Sequence, residues 1–337
     1  MAQRADPGPM IATAANHYPK VGDGPGEQRL RQVLNRLDRG RATPEDVSAA
    51  EDWATERALA EQEEAGLDLV TDGQIRWQDP ITREAGGLRG FEIGGLLRWF
   101  ETNTYYRQPV AVGEIAWERP ILVQDLRFAL AHASRPVKAV VTGPYTLATL
   151  SNTEARGHRT VTLELARALR QELLVLAAEG PAWLQIDEPA ITGNPSVRYP
   201  RDFGLFREAM SVLTEDVPGR LSLRLHHGSA DDVEGLFELP FQMIGLDLVQ
   251  GSASWSLVDR WPAHLGLDIG IVDARNVRLE SGDDLRSQVA RGRRRLAAET
   301  ALHVSPSCGL EFLPRADARR KLALVATAAH DEGEVVA

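Results

Sequence analysis

Cysteine is nearly absent: Cys308 is the single one in 337 residues. That excludes an internal disulfide framework and any multi-cysteine zinc module. An excess of basic charge is missing as well. Lys plus Arg number 38 against 48 Asp plus Glu, a net charge of -10. Counterion release from a phosphate backbone needs a basic face, so neither nucleic acid nor an anionic membrane is expected as a partner. Long apolar runs are lacking too. A run such as Leu173–Ala178 is far short of the ~20 residues that span a bilayer. The first residues carry Arg4 and Asp6 but no apolar stretch. No secretory signal is therefore expected, and the chain reads as cytoplasmic. What is present is a hydrophobic fraction of 43%, enough to bury a sizeable core.

Residues 1–10 read as a leader and 11–337 as a single domain. Eight short runs rich in Val, Ile and Leu are expected to be strands: Ile11–Ala15, Leu67–Thr71, Val137–Thr142, Trp183–Asp187, Leu221–His226, Ile244–Val249, Leu267–Asp273 and Leu302–Pro306. Several are apolar nearly throughout, the pattern of strands covered on both faces in a parallel sheet. Helical patterns lie between them. Thr43-Pro44-Glu45-Asp46 combines an N-cap, a proline at the first helical position and acids in the first turn. That helix should run to Ala65, with Gly66 ending it. Thr160–Glu179 ends at Gly180 in the same way. Arg201–Thr214, Ala230–Leu239, Asp283–Glu299 and Arg315–His330 are the other expected helices.

Eight strands alternating with helices is the count of an α/β (β/α)₈ TIM barrel. An open doubly wound sheet also alternates, but no G-x-G-x-x-G follows the first run, so its dinucleotide-binding form loses its main support. Residues 79–119 fit no βα unit. They carry Gly86, Gly87, Gly90, Gly94 and Gly95 together with Trp99, Phe100, Tyr105 and Tyr106, and read as an insertion after the second strand, a hairpin over the barrel mouth.

Polar residues gather at the ends of the apolar runs. They include His17, Asp72 and Gln74, Thr142 and Gly143, Asp187 and Glu188, His226 and His227, Gln250, Asp273 and Arg275, and Cys308. In a barrel these ends converge on one face, where active sites lie. Each also has a plainer reading. Asp72-Gly73 can be a turn and Asp187-Glu188 a helix cap. Adjacent histidines usually face opposite ways, so one of His226 and His227 should line the site. A lone cysteine is often a small buried hydrophobe.

The segment Gln62-Glu63-Glu64-Ala65-Gly66-Leu67-Asp68 with Thr71-Asp72-Gly73 resembles the second-strand signature of cobalamin-independent methionine synthases. It is closest to the short members built from the catalytic barrel alone. Tyr18-Pro19, Lys138 with Thr142-Gly143-Pro144-Tyr145-Thr146-Leu147, and Gln185-Ile186-Asp187-Glu188-Pro189-Ala190 match in order. So do Asp273-Ala274-Arg275-Asn276 with Glu280, and Ser307-Cys308-Gly309-Leu310 followed by Lys321-Leu322. The resemblance covers about residues 11–330.

The resemblance implies methyl transfer to homocysteine or a related thiol. The donor would be a methyl-folate, or a methylated corrinoid brought by a carrier protein. It implies a zinc ion that holds the acceptor sulfur as thiolate. It places a small substrate with an amino-acid moiety against His17, Asp72, Gln74, Thr142, Gly143, Asp187, Glu188 and Arg275, with Asp187 meeting the ammonium. Proton transfer falls to His226, His227 and Asp273. The metal positions fall on His226, Cys308 and Gln250, an incomplete set. Gly228 or Ser229 stands where the family has a second cysteine, and Gln250 where it has a glutamate. Gln74 likewise replaces a glutamate, and Asn16-His17 a Gly-Ser turn. A tightly held, stoichiometric zinc is therefore not expected. Two further readings stay open: a zinc-independent enzyme doing acid–base or one-carbon chemistry on the same barrel, and a non-catalytic protein that binds the ligand only.

Overall fold

In a computed structural model, residues 10–194 and 200–331 are described. The expected leader lies outside them except for Met10, which opens the first strand. The elements run β1 (Met10–Ala12), α1 (Arg29–Leu37), α2 (Pro44–Glu64), α3 (Thr82–Ala85), β2 (Arg89–Arg98), β3 (Tyr105–Ala116), α4 (Val123–His132), β4 (Lys138–Thr142), α5 (Pro144–Leu150) and α6 (His158–Ala178). There follow β5 (Trp183–Asp187), α7 (Phe203–Thr214), β6 (Leu221–Leu225), β7 (Met243–Asp247), α8 (Trp255–Val258), β8 (Gly266–Val272), α9 (Gly282–Arg293), β9 (Leu302–Pro306) and α10 (Arg315–His330).

Seven strands form one parallel sheet in the order β1-β9-β8-β7-β6-β5-β4. The run Leu67–Thr71 closes it. Thr13 bridges Leu69 on one side and Val70 bridges Val137 on the other, both in parallel. The eighth strand of the barrel is thus reduced to two bridges. A side chain supplies what the ladder does not: Gln62 of α2 accepts from Thr71 N at 3.0 Å and donates to Thr71 O at 2.9 Å. The fold is a TIM barrel with an insertion after the second strand. That insertion holds α3 and the antiparallel hairpin β2–β3.

The capping signals act where they were read. Thr43 accepts from Asp46 N, Asp46 accepts from Thr43 N, and Gly66 takes φ +91° just past the helix end. The helix expected over 230–239 does not form. Gly235 sits in the left-handed region at φ +70°, and only a short 3₁₀ turn, Leu236–Glu238, follows. The helix expected over 283–299 stops at Arg293, where the Arg293 guanidinium turns to donate to the carbonyls of Ala298 and Thr300.

The barrel interior is polar at mid-height. Arg224 of β6, 1% exposed, pairs with Asp268 of β8 and donates to Ser305 Oγ and Ser307 O at 3.0 Å each. It fits because two neighbours lack side chains. A Cβ on Gly245 would lie 3.2 Å from its guanidinium, and one on Gly270 2.9 Å. Among the described residues no helix is long and apolar enough to cross a membrane.

Candidate active site

The C-terminal ends of the strands surround a small, narrow cavity. Its walls are Asn16, His17, Trp77, Pro80, Val140 and Thr142 on one side. Trp99, Asp187, Pro189, His226, His227 and Glu311 form the other. Asp187, the last residue of β5, is its anionic floor. Asn16 Nδ2 donates to Asp187 Oδ2 at 2.6 Å, and Gln185 Nε2 to Oδ1 at 2.7 Å. Burial pushes the Asp187 carboxyl up to about 6, against the pull of those two amides and of Arg224 and Lys138. It is therefore largely ionised at neutral pH, and no cation of the described residues forms an ion pair with it.

Both adjacent histidines reach the cavity, because β6 ends at Leu225 and strand alternation no longer applies. His227 sits at φ +65°, the left-handed region that residues with a Cβ avoid. Asp247, the last residue of β7, accepts from its N–H at 3.1 Å and holds the kink. The rings of His226 and His227 lie 4.6 Å apart, centroid to centroid. Burial lowers His17 and His227 to about 3, and drives His226 well down, so all three rings are neutral. Nδ1 of His226, Nδ1 of His227, Nε2 of His17, Nε1 of Trp77 and Oε2 of Glu311 are all buried without a hydrogen-bond partner. So many open polar atoms around one cavity mark a place for a polar ligand.

The hairpin closes the top. Trp99, where β2 turns back, packs edge-on against Phe100 and Tyr106, and its Nε1 donates to His227 Nε2 at 3.3 Å. Arg275 fastens the same tip by donating to Glu101 O at 3.1 Å.

Several residues singled out in the sequence lie elsewhere. Glu188 turns away from the cavity: its carboxylate accepts from Tyr145 N, Thr146 N and Thr146 Oγ1 at 2.7 to 2.9 Å, capping α5. Gly143 makes room for it, since a Cβ there would meet Glu188 at 2.2 Å. Asp72 accepts from Gln74 N and Nε2 outside the cavity wall, while Gln74 Oε1 stays buried with no partner among the described residues. Asp273 accepts from Arg275 N and lines a separate outer cleft, which removes it as a proton donor to the cavity. Thr142 keeps its place in the wall, its hydroxyl donating to Pro80 O at 2.7 Å. Sequence reasoning missed Glu311, on a short turn three residues past Cys308, did not single out Trp77, and named Trp99 only as one aromatic of the hairpin over the mouth.

The family model described as the catalytic domain of cobalamin-independent synthase matches residues 18–331. The chain belongs to that family. Relatives include a methionine synthase of Sulfurisphaera tokodaii, 29% identical over 310 residues, which make up 90% of this chain and 88% of that one. One of Sulfolobus acidocaldarius is 28% identical with the same coverage. A B12-independent methionine synthase from a Shewanella species, solved with selenomethionine, superposes at a TM-score of 0.78. It is 17% identical and covers 95% of this chain and 97% of its own. A Methanosarcina mazei methyltransferase superposes at 0.60 with 11% identity, over 94% of each chain. At those identities the two structures speak for the fold.

Membership in this family of methyl-transferring enzymes implies a zinc ion, and the residues here do not fit one. Among the described residues, no three His, Cys, Asp or Glu side chains converge to hold a metal. Gln250 is exposed and three residues beyond the strand end. The acid at that end is Asp247, a residue the sequence reading passed over, and its oxygens are taken up by the N–H groups of His227, Val249 and Gln250. Gly228 has no space for a cysteine: its Cβ would meet Thr192 Oγ1 at 2.6 Å. Cys308 is fully buried, and burial, with Asp247 and Glu311 nearby, holds its thiol well above the usual range.

Proposed function

We propose that the protein transfers a methyl group from a methyl-folate type donor to the thiol of a small amino acid of the homocysteine kind, using its own acid–base groups. One observation carries the reading: the carboxyls of Asp187 and Glu311 line the same cavity. Asp187 supplies the anion and binds the substrate ammonium. Glu311 supplies the second group. Burial pushes its carboxyl up to about 8, close to the ~8.5 of a free thiol, so a proton passes between them at little cost.

The balance closes within the two substrates. Glu311 gives its proton to the donor nitrogen, which readies the methyl group for attack. The sulfur lone pair forms the new bond to the methyl carbon, while the nitrogen–methyl bond of the donor breaks. The sulfur–hydrogen bond then breaks and its proton goes to the Glu311 carboxylate, leaving the enzyme as it began. The neutral imidazoles and the two tryptophans keep water out and offer polar contacts without competing charge.

Steady-state kinetics with L-homocysteine and a methyl-folate test this reading. Glu311→Gln should lower kcat by about 10²-fold or more while calorimetric affinity for L-homocysteine stays within a few-fold. Unchanged turnover in that variant would remove Glu311 from the mechanism.

A further inference from the structure

The contact between Trp99 and His227 fixes more than the position of a lid. An indole N–H can only donate, so the nitrogen it meets must be bare. At His227 that nitrogen is Nε2, 3.3 Å from Trp99 Nε1. The proton of the ring therefore sits on Nδ1, and a ring with a bare nitrogen is neutral. Nδ1–H is then a donor, buried, with no acceptor among the described residues. A buried donor left open costs about as much as a lost hydrogen bond, unless a ligand supplies the acceptor. The backbone cooperates. The left-handed turn at His227, held by Asp247, brings the ring under the hairpin tip. Phe100, on the same tip, lies 5.3 Å from the ring, centroid to centroid, and restricts its rotation.

We infer that Trp99 is a positioning residue that locks His227 as its Nδ1–H tautomer, and that this N–H receives a carboxylate oxygen of the ligand. The inference rests on the reading of this cavity as the ligand site. It gives the cavity two poles: Asp187 accepts from a cationic group, and His227 donates to an anionic one. A zwitterionic amino acid fits that layout, and a simple amine satisfies half of it.

Nitrogen-15 NMR of the full-length protein labelled at histidine reads the tautomer directly, with the His227 signals assigned from the His227→Gln variant. The expected wild-type spectrum shows a protonated Nδ1 and a bare Nε2. Trp99→Phe keeps an aromatic ring in place and should give a mixture of tautomers. A wild-type His227 protonated at Nε2, or a tautomer unchanged in Trp99→Phe, would overturn the inference. Acetate then serves as a bare carboxylate probe. It should shift the His227 Nδ1 signal in wild type, with about tenfold weaker binding in Trp99→Phe. A response to acetate without any binding of L-homocysteine would defeat the proposed substrate and leave the positioning role standing. An Nδ1 signal that neither acetate nor L-homocysteine moves would defeat the positioning role.

Discussion

Asn16 and Asp187 are 171 residues apart in sequence and 2.6 Å apart in space, an amide on a carboxylate at the floor of the cavity. The bond ties the loop after β1 to the end of β5. It also fixes which way the carboxylate faces, with Gln185 on the other oxygen.

Asp187→Asn should separate binding from stability. Losing the charge should weaken L-homocysteine binding by about 2 kcal/mol or more, measured by calorimetry. The pH dependence of melting should also differ, because only the wild type titrates at this position. The folded carboxyl titrates near 6 and its ordinary value is 3.8. Between those values the folded state binds the extra proton, so the wild type loses stability as pH rises through that window. The variant has no such loss. By the same sign, wild-type affinity for a cationic ligand should fall as pH drops below about 6. Equal pH dependence of melting in both proteins would contradict this.

The Arg224–Asp268 pair predicts the opposite outcome. Each group is almost wholly buried and each is the other's charge partner. Asp268→Asn leaves the guanidinium uncompensated, and urea unfolding should register a loss of about 3–5 kcal/mol. A loss below about 1 kcal/mol would mean that the serine hydroxyl and carbonyl contacts suffice.

Adding the metal ligands the family resemblance implies should fail. Gly228→Cys with Gln250→Glu puts one side chain against Thr192 and the other in solvent. Elemental analysis after dialysis against a mild chelator should find no stoichiometric zinc in the double variant, and melting should occur at lower temperature than in wild type. One zinc per chain in the variant would show that the loop after β6 can remodel.

Cys308 should be silent towards thiol reagents. It is 0% exposed and its thiolate is disfavoured by burial and by nearby carboxylates. A colorimetric disulfide reagent should detect less than about a tenth of the thiol in the native protein and all of it in denaturant. Full reaction in the native state would place the residue on an opening path.

The parts of the fold with local causes were readable from sequence. The capping box at Thr43 and the glycine stops at Gly66 and Gly180 depend on a few neighbouring residues, and all appear. The strand ends were harder, because apolar character continues past the last ladder hydrogen bond. Leu248 and Val249 extended the seventh strand in sequence and hid Asp247 as its true end. That two-residue error moved the acidic position onto Gln250. The same blurring let both histidines after β6 enter the cavity when alternation allowed one. Glu188 and Asp273 carry the right chemistry at strand ends, but their partners, the first turn of α5 and the N–H of Arg275, are visible only in three dimensions. Glu311 had no local signal, since its placement depends on how a turn folds back over the mouth; Trp99 was legible only as one aromatic of the hairpin there.

The arginine inside the barrel also constrains the history of its neighbours. While Arg224 fills the space between β7 and β8, any change that gives Gly245 or Gly270 a side chain collides with it. A lineage can escape only in one order: the arginine must shorten first, at the cost of stranding Asp268, and only then can the glycines grow. Each first step is harmful by itself, so the three positions should be inherited as a block. Related chains that keep the arginine should keep both glycines.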